Sequence, residues 1–380
     1  MVDLQAQYAE IAEEVQQALH ESLQRGDFIN GAYTRSFAQK LAEYLGSGHC
    51  IPCANGTDAL QIALMAAGLE RGAEVIVPAF TYVATVEVIA LLGLCPVPVD
   101  VDADTFNISV EAAKRALTPR TRAIVPVHLF GQCCDMEPLM QWAREHNLFV
   151  VEDNAQAIGS VYTFADGVQR AAGTMGQVGC TSFYPSKNLG AYGDGGAMFA
   201  QDAAMAELLQ KIANHGQGQR YYHDIVGVNS RLDNLQAAVL QIKLARLSEY
   251  TQARQLAAAR YDELLAPLQA AGLLRLPARA PYSTHVFHQY TLTLRDAAQR
   301  SALQAHLQKA GVPSMIYYPV PLYEQRAYAD LLPADFDAER LPNTAFLCAR
   351  VLSLPMHSHL TEEQQEHIAD ALRSFFGGTS

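Results

Sequence analysis

Between Ala171 and Gln210 the chain carries a single basic residue, Lys187, in the stretch SFYPSKNLGAYGDGG (182–196). Its neighbours are small, aromatic or glycine. An amine placed among such groups is desolvated, its pKa falls, and it becomes a usable nucleophile toward a carbonyl near neutral pH. A lysine on an exposed loop is the bland alternative. Two other stretches bear on the choice. In CANGTDALQIALMAAG (53–68) an amphipathic helix opens at Asn55-Gly56-Thr57-Asp58. Asn, Thr and Asp cap helices, Gly56 lets a ligand approach the backbone, and the free N–H groups of a helix start attract phosphate. A simple capped helix would use the same residues. In LFVVEDNAQAIGS (148–160) an apolar strand ends in Glu152-Asp153, with Gln156 shortly after. A buried carboxylate there needs a partner to stay ionised, unless Asp153 serves only to cap the next element.

Other phosphate readings fit less well. The Asn-Gly-Thr-Asp turn is neither a P-loop nor GxGxxG, and GAYGDGG does not follow a strand and open a helix as a dinucleotide loop does. A phosphate-binding helix start, a strand-end Asp and an isolated Lys are instead the set that pyridoxal phosphate (PLP) requires. Lys187 would supply the covalent bond, Asp153 would keep the pyridinium nitrogen protonated, and N–H and hydroxyl donors would hold the phosphate. Ser182 and Ser186 flank the lysine with short hydroxyls. Tyr82, in PAFTYVAT, is either a ring-stacking residue or a core aromatic.

These residues need a scaffold that brings strand ends together. Short apolar runs at Glu74–Val77, Cys95–Val99, Ala123–Val127, Leu148–Glu152, Val178–Phe183 and Ala197–Ala200 read as strands. Helical spacing at Thr57–Ala67, Thr85–Leu92, Val110–Leu117 and Glu137–His146 separates them. Repeated βα units predict an α/β fold with a mostly parallel sheet and ligands beyond the carboxyl ends of its strands. The acidic N-terminal stretch VDLQAQYAEIAEEVQQALHESL reads as an amphipathic helix. Residues 233–271 predict one long helix or two joined ones. A Pro-containing linker follows at Arg275–Pro281, then a strand at Val286–Leu294, a helix at Ala297–Ala310, a strand at Ser314–Tyr318 and a last helix capped near Thr361. The division expected is a large domain at 1–245 and a smaller C-terminal α/β domain at 246–380.

Composition bounds the function. With 50% hydrophobic and 17% charged residues, the 380-residue chain is of ordinary globular make-up. A net charge of −12 argues against a nucleic-acid partner, which needs a basic face. No apolar run approaches the ~20 residues that span a bilayer, so no membrane role is expected. The seven cysteines have no second CxxC beside Cys50–Cys53 and no metal-ligand spacing. They predict free thiols in a reducing, cytoplasmic setting and no metal, with Cys50 and Cys53 as buried small residues.

The motifs NGTDAL, PAFTYVAT, VEDNAQAIG, SFYPSKNLGAYGDGG and GVNSRLDNLQAAVL, in this order, resemble the DegT/StrS-type nucleotide-sugar aminotransferases, which are fold-type I PLP enzymes. The resemblance runs from VDLQAQY to LSLPMH. It implies that Lys187 is the Schiff-base lysine and Asp153 the pyridinium partner. Tyr82 would stack on the ring and Gln156 lie near its 3-hydroxyl side, with Gly56, Thr57 and Ser182 on the phosphate. Asn229 would reach the phosphate of the other subunit, making a homodimer with shared active sites. Relatives that act as dehydratases carry His in place of this lysine, so transamination is implied, with L-glutamate as donor and a keto-sugar nucleotide as acceptor. Among relatives the chain looks most like UDP-2-acetamido-2-deoxy-3-oxo-glucuronate aminotransferases, which serve surface polysaccharide (O-antigen, lipopolysaccharide) synthesis. Arg231 is then the candidate for the uronate carboxylate. Tyr317 and Tyr318 match a sugar-site segment that is often His-Tyr. The alternatives are a dTDP-3-keto-6-deoxyhexose substrate and a PLP-binding regulatory protein without turnover.

Overall fold

The apolar runs of the first half become strands of one sheet. In the computed structural model, which describes residues 1–377, these are β1 (His49–Cys53), β2 (Glu74–Pro78), β3 (Cys95–Val99), β4 (Thr121–Ile124) and β5 (Phe149–Asp153). A small hairpin follows, β6 (Val161–Thr163) with β7 (Gln169–Ala171), and then β8 (Val178–Ser182) and β9 (Gly196–Ala200). Seven of them form the central sheet in the order β1-β9-β8-β5-β4-β2-β3. Pairing is parallel from β8 across to β3, and β9 alone runs against its neighbours. Every residue of β2 and β9 is buried, as expected where helices cover both faces. Val75, Val77 and Val151 pack with Leu60, Val86 and Leu209 on one face. The alternating residues Ile76, Ile124 and Val150 meet Leu139 and Trp142 on the other. Because β1, β2, β5 and β8 share a direction, Asn55, Tyr82, Asp153 and Lys187 follow or end strands at one edge.

The expected long helix is two, Asn234–Leu244 and Leu247–Ala270, broken at Ala245-Arg246. Beyond the break a second hydrophobic core forms around an antiparallel sheet of Leu274–Arg275, Tyr290–Leu294 and Val351–Leu354. The last helix, Glu362–Gly377, starts with a reciprocal cap. Gln364 N donates to Thr361 Oγ1 at 3.2 Å and Thr361 N to Gln364 Oε1 at 3.0 Å. The end of the expected second domain, 378–380, lies outside the described residues. No described helix is long and apolar enough to cross a membrane.

Three expectations are corrected. Ser314–Tyr318 is not a strand. It makes one isolated bridge, Met315 to Ser353, and Ile316, Tyr317 and Tyr318 instead pack on the cluster of Phe80, Phe106 and Phe130. The third strand of the small sheet is Val351–Leu354. The strand placed at Val286–Leu294 begins only at Tyr290. The preceding residues turn away, with Phe287 at φ 45°, and bond to the large sheet's loop through Val286 N to Gly131 O (2.8 Å) and Gln289 N to Phe130 O (3.3 Å). Gly131, at φ 110°, is required there, since a Cβ would lie 2.9 Å from Phe287 N and His288 N. Cys50 is only half-buried. It and Cys53 sit three apart on β1, so they face opposite sides of the sheet and cannot pair within it.

Candidate active site

A cavity of 680 Å³ opens at the strand-end edge. Its lining includes Gly56, Thr57, Tyr82, Asp153, Gln156, Ser182, Lys187, Tyr317 and Tyr318. Nine residues singled out from sequence thus share one space. Asn229 and Arg231 are not among its lining. Between them Ser230 is turned into its own chain, donating to Asp58 Oδ2 at 2.6 Å and accepting from Ala54 N at 3.0 Å. Asn229 is exposed and Arg231 half-buried.

Strand alternation separates the two carboxylates that end β5. Glu152 accepts from His128 Nε2 (2.8 Å) and from the backbone N–H groups of Gly173 (2.9 Å), Met175 and Gly176 (each 2.6 Å). It is a saturated structural carboxylate. Asp153, on the opposite face, has fewer donors: Thr85 Oγ1 at 2.9 Å and Ala155 N at 3.1 Å. Burial raises its pKa, against the pull of these bonds and of Lys187. It is a desolvated carboxylate that a cation in the cavity would stabilise.

Lys187 stands five residues past β8. Among the described residues its ammonium has no ion pair or side-chain hydrogen bond. Withdrawal from water lowers its pKa from 10.5 to about 8, with Asp153 pulling the other way. At the phosphate-type end, Asn55 caps the helix Gly56–Ala66, its side chain accepting from Asp58 N at 2.8 Å. A Cβ on Gly56 would lie 2.7 Å from Ser182 Cβ, so only glycine lets the helix start and the end of β8 close on a small group. Gln156 is clamped across the cavity wall, accepting from Phe130 N at 2.9 Å and donating to the Tyr318 hydroxyl at 3.1 Å. Tyr82 is 58% exposed at the rim, its ring centroid 6.3 Å from that of Tyr318.

Sequence reasoning missed Thr81, Thr85, Asp194, His288 and Gln289. Thr81 lines the cavity, and its Oγ1 is buried without a hydrogen-bond partner among the described residues. His288 sat in what read as a plain strand. The donor set fits PLP: a helix start with hydroxyls at one end, a carboxylate seeking a cation, and an amine with a lowered pKa.

The model of the DegT/DnrJ/EryC1/StrS aminotransferase family matches residues 9–373. The UDP-2-acetamido-2-deoxy-3-oxo-D-glucuronate aminotransferase of Pseudomonas aeruginosa is 42% identical over 371 residues, 98% of each chain. The UDP-N-acetyl-3-dehydro-alpha-D-glucosamine 3-aminotransferase of Acidithiobacillus ferrooxidans is 41% identical over 378 residues, 100% of this chain and 98% of that one. A pleiotropic regulatory protein of Geobacillus stearothermophilus is 42% identical over 377 residues, covering 99% and 98%. Among solved structures, S. venezuelae DesV in complex with a ketimine intermediate superposes with a TM-score of 0.91 at 39% identity, covering 98% and 97%. A Bacillus subtilis protein with bound cofactor PMP gives 0.89 at 31%, covering 97% and 82%.

Proposed function

Because the chain belongs to the DegT/DnrJ/EryC1/StrS aminotransferase family, and is thus a PLP-dependent sugar aminotransferase, we propose that it moves the amino group of L-glutamate to C3 of UDP-2-acetamido-2-deoxy-3-oxo-glucuronate. The product would feed surface polysaccharide synthesis in the cytoplasm. The observation that carries the chemistry is the joint presence in one cavity of Lys187, with a pKa of about 8, and the buried Asp153.

PLP, when bound, supplies the covalent handle and the electron sink for the carbon that loses its proton. Lys187 provides the covalent attachment and, once released, the base that moves the proton. With a pKa near 8, roughly a quarter of the amine is neutral at pH 7.5, against about one part in a thousand at 10.5. Asp153 would hold the proton on the ring nitrogen. Gly56, Thr57 and Ser182 would bind the phosphate, Tyr82 would lie against the ring, and Gln156, held by Phe130 and Tyr318, would border its hydroxyl side. Asn229 of the partner subunit would complete the phosphate site, which its exposure outside its own cavity supports.

Gly56→Ala tests the phosphate assignment. The added carbon, 2.7 Å from Ser182 Cβ, is expected to weaken PLP binding at least about tenfold, read by absorbance titration of apoprotein. Unchanged affinity would remove the helix start from the phosphate site.

Arg231 lies outside its own chain's cavity, so as the uronate reader it would act, like Asn229, in the partner subunit's site, and its guanidinium makes no ion pair or side-chain hydrogen bond with any described residue. Arg231→Ala is expected to lower kcat/KM for the uronate about 10²-fold, the scale of a lost charge-assisted bond, and for a neutral 3-oxo sugar nucleotide only severalfold. Equal losses on both would remove Arg231 as the carboxylate reader. A PLP-binding regulatory protein without turnover is separated by adding L-glutamate to the yellow holoprotein. Bleaching marks the enzyme, and an unchanged spectrum overturns it.

A further inference from the structure

Ser230 is a buried hydroxyl, 1% exposed, that the chemistry above does not use. The directions of its two hydrogen bonds follow from their partners. The Asp58 carboxylate only accepts, so the hydroxyl hydrogen goes to Asp58 Oδ2 at 2.6 Å, the length of a charge-assisted bond. Ala54 N is a donor, so a lone pair of the same oxygen takes its hydrogen at 3.0 Å. The backbone is held as well, with Ser230 N on Ala213 O at 3.0 Å and Val228 N on Ile212 O at 2.8 Å. Burial alternates along this segment. Ser230, Leu232 and Asn234 are buried, Asn229 and Asp233 are exposed, and Arg231 is half-buried.

At the other end of the bond stands the helix start. Asn55 is the cap of Gly56–Ala66, so Asp58 is the third residue inside the helix. Asn55 Oδ1 takes the N–H of Asp58, and Asn55 O takes that of Ala59. The N–H groups of Gly56 and Thr57 have no partner among the described residues, as the first turn of a helix leaves them. They are the groups open to an anion. Asp58 is itself an anion in the same turn. Side chains on a helix lean toward its N-terminus, so a free carboxylate at this position would be drawn to those N–H groups by the helix dipole. The structure holds it elsewhere. Among the described residues Ser230 is the only side chain that donates to Asp58, and Asp58 makes no ion pair. Asn55, Gly56, Thr57 and Leu60 line the cavity, and Asp58 does not.

We propose that Ser230 is a positioning residue: its hydroxyl draws the Asp58 carboxylate off the helix start and leaves the Gly56 and Thr57 N–H groups to a ligand phosphate. This rests on the reading of that helix start as the phosphate site. The same bond ties the helix start to the segment that carries Asn229 and Arg231.

The test titrates apoprotein with PLP and with pyridoxal, which lacks the phosphate, each read by absorbance. Ser230→Ala is expected to weaken PLP about tenfold and pyridoxal less than about twofold, because the released carboxylate competes only with a phosphate. Asp58→Asn removes the competing charge and keeps an acceptor, so alone it should leave PLP affinity within about threefold of wild type. Added to Ser230→Ala, it should restore most of the lost affinity. A hydroxyl that only packs the segment in place would, when removed, weaken both ligands alike, and Asp58→Asn would not cure the loss. Either result overturns the proposal. Should Ser230→Ala fail to fold, judged by its melting curve, Asp58→Asn decides alone, and a loss of PLP affinity of about tenfold overturns the proposal. Wild-type apoprotein that binds pyridoxal as tightly as PLP would overturn the phosphate reading itself. A wild-type preference for PLP that Ser230→Ala leaves intact would overturn only the role of Ser230.

Discussion

Replacing Lys187 by alanine is expected to lower the transamination rate at least about 10³-fold, the scale of a lost general base combined with a lost covalent attachment. Holoprotein should lose its covalent bond to PLP and release the cofactor on dialysis. Lys187→Arg should be no better, because a guanidinium does not deprotonate in a protein and cannot take the proton. A second readout comes from the apoprotein. Lys187 has a folded pKa of about 8 against 10.5 for the free side chain. The unfolded state therefore binds more protons between those values, and stability rises with pH across that window. Lys243, also lowered to about 8 by burial, contributes with the same sign. Lys187→Met should raise the apoprotein melting temperature at pH 7 and flatten part of its climb from pH 8 upward. A variant that keeps its rate within tenfold of wild type would return Lys187 to the role of an ordinary loop lysine.

What could be read without coordinates was local. The isolation of Lys187, the strand ending at Asp153 and the Asn55 cap are each contained in a few consecutive residues. The contacts that tune them are not. Thr85 reaches Asp153 from 68 positions away, Tyr318 reaches Gln156 from 162, and His288 meets Asn188 from 100. No local pattern records such pairs. The C-terminal misreading has the same origin. A short apolar run, as at Ser314–Tyr318, signals burial but not what does the burying. Here the burying surface is the aromatic cluster of Phe80, Phe106 and Phe130 rather than a neighbouring strand. Conversely, Val351–Leu354 is four residues long and follows the helix Pro342–Arg350 directly, so no turn residue marks its start. The helix break at Ala245-Arg246 falls inside the stretch 233–271 that read as one long helix or two joined ones. The cavity draws on both sides of that break, which explains why its polar inventory was only partly visible.

Asp153→Asn should lower kcat about 10²–10³-fold with a smaller change in KM, the cost of removing a preorganised charge from a reacting centre. The amide fills the same volume and can still accept from Thr85, but it carries no charge to hold a proton on the ring nitrogen. The cofactor's affinity should fall as well, read by apoprotein titration. The competing view, that Asp153 only caps the turn after β5, predicts little change in stability, because Asn caps about as well as Asp. Asp153 in the apoprotein is instead a buried carboxylate whose pKa is raised by desolvation, with two hydrogen-bond donors and no ion pair among the described residues. Removing an uncompensated buried charge stabilises. The apoprotein of Asp153→Asn should therefore melt higher than wild type at pH 7, and the difference should shrink on acidification as the wild-type carboxyl takes up its proton. Activity falling while apoprotein stability rises is a pair of signs that a capping residue does not give. A variant that melts at the wild-type temperature and keeps kcat within tenfold would assign Asp153 to the turn and leave the ring nitrogen without its partner.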